Sequence, residues 1–151
     1  MMIRQKIFFA ALIGLMPISV FALTQRISVD SSWIEGNDNT SSIAGVTPDW
    51  RYVLFSSNAT NLVADDTNWE TDVFVRDAFS GTTERVNVNS SWEQAIYQWS
   101  PVAITPDGRY VLFNSPADNL VSGDTNSQWD AFVRDRVAGI TSIVSVGDDW
   151  V

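Results

Sequence analysis

TPDWRYVLFSSNATNLVADDTNWETDVFVRD at residues 47–77 returns as TPDGRYVLFNSPADNLVSGDTNSQWDAFVRD at residues 105–135. Laid out without gaps at an offset of 58, residues 47–92 and 105–150 share 26 identities in 46 positions. The correspondence reaches back to ISVDSSW at 27–33, which matches VNVNSSW at 86–92 at an offset of 59. Repeats of this length build solenoids, propellers or arrays, and the content of the unit chooses among them.

Short runs rich in Val, Ile, Phe, Tyr and Thr, bounded by Pro, Gly, Asn and Asp, read as strands, and no window carries a long 3.6-residue apolar period. In the second unit the strands are expected at 102–105, 109–114, 130–135 and 141–146. Four antiparallel strands per repeat is the content of a propeller blade. Pro106, Asp107 and Gly108 predict a tight turn between the first two strands, with Pro fixing φ and Asp capping the backbone. Trp50 stands where the second copy has Gly108, which predicts a right-handed turn at both. A second hairpin is expected around Gly81 and Gly139, and longer loops at 57–71 and 115–129 join the second and third strands.

The stretch from Thr105 to Val146, with its earlier copy, resembles the WD40-like PD40 repeat of TolB-like β-propeller proteins of exported bacterial type. The resemblance covers Arg26 to Trp150. It implies an all-β fold of tandem four-stranded antiparallel β-propeller blades, an extracytoplasmic location, and a rigid scaffold or protein-binding platform. About two blades are expected, an incomplete propeller: the last strand of a preceding blade at 24–33, one blade at 43–92 and another at 101–150. Such a chain is a piece of a longer ring, an assembly of several copies, or an open array.

Residues 1–22 read as a secretory signal peptide: Arg4 and Lys6 form its basic start, 7–20 its apolar run, and Val20-Phe21-Ala22 its cleavage site. The expected destination is the periplasm or the exterior, with no membrane insertion after signal removal. Among 151 residues there are 9 basic and 18 acidic side chains. Removing Arg4 and Lys6 leaves 7 against 18, a net charge of −11. Nucleic acid is therefore not an expected partner, whereas a protein or peptide is. Cys and His are both absent, which excludes disulfides, thiol nucleophiles, His-based triads and Cys- or His-ligated zinc.

Two loops carry the candidate site. Asp66, Asn68 and Asp72, repeated as Asp124, Asn126 and Asp130, offer alternate oxygens of the kind that hold Ca²⁺. The competing reading is structural: Asp and Asn accept hydrogen bonds from amides two residues on and shape the turn. An EF-hand-like site is excluded, because Asp77 and Asp135 lie a strand's length, roughly 16 Å, beyond Asp72 and Asp130. Arg76-Asp77 and Arg134-Asp135 read as ion-paired or capping residues. Trp33, Trp92 and Trp150 are expected to pack between blades, and Trp50, Trp69, Trp99 and Trp129 fall in turns and loops, where they could grip a sugar or peptide.

The functional expectation is a non-catalytic scaffold or protein-interaction module, with no catalytic residues assigned. The alternative is a fragment of a propeller-containing hydrolase, a glycosidase or a peptidase-associated propeller. Glycoside cleavage needs two carboxylates about 5–10 Å apart. Glu35, Glu84 and Glu93 are the candidates for it that fall outside the repeated turns.

Overall fold

The computed structural model describes residues 24–97 and 100–146. The signal segment 1–22, Trp99 and Trp150 lie outside the described residues. Eight strands form two sheets: β1 (Thr40–Val46), β2 (Tyr52–Ser57), β3 (Asp72–Asp77) and β4 (Thr82–Arg85), then β5 (Ser100–Ile104), β6 (Tyr110–Ser115), β7 (Asp130–Asp135) and β8 (Ile140–Ile143). Each sheet is four-stranded, antiparallel and ordered as in the chain. The described residues are all-β and contain no helix.

β7 runs over the residues expected of it, and β8 ends at Ile143, earlier than expected, although the Val144 amide still donates to the Ala131 carbonyl of β7 at 2.8 Å. Residues 25–30, expected as a closing strand, instead make only the single bridge Val29–Glu35, and Val88–Gln94 repeats it. The reason is packing. Val29 is buried and Ile27 packs on Phe55, Ala59, Leu62 and Phe74, so this segment lies across the face of the first sheet rather than along its edge.

The Thr-Pro-Asp turns are built alike. Asp49 Oδ1 accepts from the Arg51 amide (3.1 Å) and the Thr47 hydroxyl (2.6 Å); Asp107 Oδ1 does so from Arg109 (3.0 Å) and Thr105 (2.5 Å). The expectation of right-handed turns fails at both: φ is +61° at Trp50 and +72° at Gly108. With Pro and Asp in the preceding positions, closing the Trp50 amide onto the Thr47 carbonyl (2.8 Å) puts the next residue in the left-handed region. Gly suits that backbone; Trp adopts it at a cost.

The two sheets pack face to face. Leu54, Val73 and Val75 of the first and Phe113 and Phe132 of the second are fully buried in one cluster with Val86, Ala95 and Leu120. Burying each such side chain contributes about 1.5–3 kcal/mol. The Phe113–Phe132 rings stack at 5.7 Å, as Phe55–Phe74 do at 5.6 Å on the first sheet's opposite face. Tyr52 fits against Gly108, where a Cβ would stand 2.2 Å from its ring, and Arg136 pairs with Glu84 at 3.0 Å. The second unit therefore has Gly where its neighbour leans on the turn, and the first has an exposed Trp where no described residue does.

Candidate functional site

The loops joining β2 to β3 and β6 to β7 share one backbone shape. Asp65 (φ +62°) and Trp69 (φ +60°) are left-handed, and so are their counterparts Gly123 (φ +102°) and Ser127 (φ +50°). Asn68 Oδ1 accepts from the Glu70 amide at 3.1 Å, and Asn126 Oδ1 from the Gln128 amide at 2.7 Å. Both asparagine oxygens thus serve the turn. Asn68 also donates from Nδ2 to the Ala95 carbonyl (2.8 Å), tying the loop to the segment that follows β4.

In the first unit a guanidinium occupies the acidic pair. Arg85 Nη1 lies 3.0 Å from Asp72 Oδ2 and 3.6 Å from Asp66 Oδ1, donates to Gln94 Oε1 at 2.6 Å, and Nη2 donates to the Asp65 carbonyl at 3.2 Å. Asn87 Nδ2 donates to Asp72 Oδ1 at 2.6 Å. The Arg85, Asp66 and Asp72 side chains are 8%, 2% and 0% exposed. Burial, with the Asp72 charge alongside, pushes Asp66 up to about 6 in spite of Arg85. Sequence reasoning missed Arg85 because its counterpart, 58 residues on, is Ile143.

In the second unit the acids are kept and the cation is lost. Asp124 and Asp130 are each 8% exposed. Ser145 donates to Asp130 Oδ1 at 2.5 Å, taking the part of Asn87. Among the described residues, Asp130 Oδ2 and both oxygens of Asp124 have no hydrogen-bond partner of good geometry. Burial raises the Asp124 carboxyl above its ordinary range against the pull of the Asn126 amide, and the nearby charges of Asp130 and Asp118 add to the rise. A cavity of about 200 Å³ opens between these carboxylates and Ile143.

The Arg-Asp pairs closing β3 and β7 divide their roles. Asp77 binds Arg51 (2.9 Å) and caps the amides of Phe79 and Ser80; Asp135 binds Arg109 (2.7 Å) and caps Val137 and Ala138. Arg76 and Arg134 turn inward and are fully buried. Trp33 covers the Arg76 guanidinium at 4.5 Å and Trp92 covers that of Arg134 at 4.3 Å. Arg134 Nη1 donates to the Asn89 and Gly139 carbonyls and to the Thr141 hydroxyl, at 3.1, 3.0 and 3.1 Å. Trp92 therefore bridges the units, reaching from the segment after β4 onto β7.

Trp50 (75%), Trp69 (84%) and Trp129 (57%) are exposed. Glu35 pairs with Arg26, Glu84 with Arg136, and Glu93 accepts from Asn89 Nδ2 (2.7 Å), so each of these three carboxylates has a structural partner. No group of three or more acidic side chains placed to hold a metal occurs among the described residues. Comparison with known proteins returns no match, either to a protein-family model or among curated sequences.

Proposed function

We propose that the two units are consecutive blades of an exported, TolB-like β-propeller that serves as a non-catalytic platform for a protein partner. The observation that carries this reading is an asymmetry of burial. Leu54, Val73 and Val75 are sealed by the second sheet, while Leu112, Ala131 and Val133, the corresponding residues of the second sheet, are only half-buried. A further four-stranded unit fits that face, and repetition of the packing is how a blade array grows.

At the turn end of the first sheet, Trp50 and Phe79 (71% exposed) flank Arg51, whose guanidinium carbon lies 5.9 Å from the Phe79 ring. Exposed aromatics beside an arginine are the composition of a contact surface.

The test is site-specific photo-cross-linking in cells expressing the whole chain, with the cross-linker at position 50 and, as control, at position 93. A discrete protein adduct from position 50 alone is expected. Equal adducts at both positions, or turnover of chromogenic glycosides or peptides by the purified chain, would contradict the reading.

A further inference from the structure

Arg85 shows what the acidic pair and the loop carbonyl beside it accept. One guanidinium meets Asp72 at 3.0 Å, Asp66 at 3.6 Å and the Asp65 carbonyl at 3.2 Å. The second unit repeats all three oxygen sources, as Asp130, Asp124 and the Gly123 carbonyl, on a loop of the same left-handed geometry. What it lacks is the arginine. The cavity left beside Ile143, about 200 Å³, far exceeds the roughly 10–15 Å³ that one water needs.

Two carboxylates more than nine-tenths buried, helped only by the Ser145 hydroxyl on Asp130 and the Asn126 amide near Asp124, have no counter-ion among the described residues, and buried charges of that kind are costly. We propose that the Asp124–Asp130 pocket binds a guanidinium group, the side chain of an arginine supplied from outside residues 24–146.

Among the described residues no arginine is left over for it. Every arginine between residues 24 and 146 is already held by a carboxylate or beneath an indole ring, and the only lysine is Lys6. Residues 147–151, Gly-Asp-Asp-Trp-Val, add no cation. A planar, forked donor can offer several N–H groups to two carboxylates and a carbonyl at once, as Arg85 does to Asp72 and the Asp65 carbonyl with Asp66 alongside at 3.6 Å.

The inference deepens the platform reading and rests on it only for the source of the arginine. If the arginine titration below succeeds while cross-linking at position 50 fails, the platform reading falls and this one stands.

The experiment is an NMR titration of the full chain, ¹⁵N-labelled, with N-acetyl-arginine amide, and in parallel with N-acetyl-lysine amide and with CaCl₂. The arginine probe is expected to shift the amides of Gly123, Asp124 and Asp130 to saturation. Asp124→Asn and Asp130→Asn should weaken it about tenfold each, the loss of one charge-assisted contact. Ile143→Arg, which fills the pocket from within and should fold, is expected to abolish it. Repeating the titration on the polypeptide isolated from its native cell separates the sources: retained binding points to a partner's arginine, and a pocket already filled to an arginine of an adjoining segment. Shifts absent, indifferent to both Asp→Asn changes, equalled by the lysine probe, or produced at these amides by Ca²⁺ alone would overturn the proposal.

Discussion

The Trp92 ring lies 4.3 Å from the guanidinium carbon of Arg134, a fully buried cation whose Nε and Nη2 have no hydrogen-bond partner among the described residues. The ring face supplies negative electrostatic potential where no oxygen does, and it keeps water off a group that burial already drives below its ordinary pKa. The same arrangement, Trp33 over Arg76, recurs one unit earlier. Trp92→Ala is expected to cost about 2 kcal/mol by urea denaturation. Trp92→Phe, which retains a ring face, should cost measurably less.

Backbone conformation gives opposite signs at corresponding positions. Trp50 is left-handed and exposed, so Trp50→Gly should stabilise by about 1 kcal/mol by relieving the Cβ strain. Gly108→Ala should destabilise by more, because the new methyl would stand 2.2 Å from the Tyr52 ring. Thermal unfolding of both single variants, and of Gly108→Ala combined with Tyr52→Ala, checks the account: the second change should recover part of the loss.

Asp66 gives the protein a pH dependence of definite sign. Its folded pKa, about 6, exceeds the ordinary aspartate value of 3.8, so the native state binds more protons than the unfolded chain between these values. Stability from this group is present below about pH 4 and is lost as pH rises to about 6. Asp66→Asn should remove that decline from a plot of melting temperature against pH. Asp77 works the other way: Arg51 and the turn amides favour its charged form and, despite burial, hold it below the usual carboxylate range. Its contribution is present above about pH 4 and disappears as pH falls further, in wild type and Asp66→Asn alike.

Much of this was legible in the sequence because it is repeated. The 58-residue offset gave two units, and the alternating apolar runs gave four strands in each, with β7 placed to the residue. Asn68, Asn126, Asp49 and Asp107 accept from amides two residues on, whereas Asp72 binds Arg85 and Asn87 instead. Three things stayed hidden. Trp50 conceals a left-handed backbone that only Gly108 announces. Arg76 and Arg134 look like edge charges because their burial depends on Trp33 and Trp92, more than 40 residues away in sequence. The pocket beside Asp124 arises where the units differ, at Arg85 and Ile143, and a search for shared residues passes over that position.

The central claim is that the second unit keeps an acidic pair whose cation the first unit supplies internally. The most direct test is a double-mutant cycle in thermal unfolding at pH 7 that combines Ile143→Arg with the neutral pair Asp124→Asn and Asp130→Asn. Installing the arginine is predicted to raise the melting temperature by a few degrees, on the order of 1 kcal/mol, when both carboxylates are present, and to lower it when they are not. An arginine that destabilises the two backgrounds equally would contradict the claim.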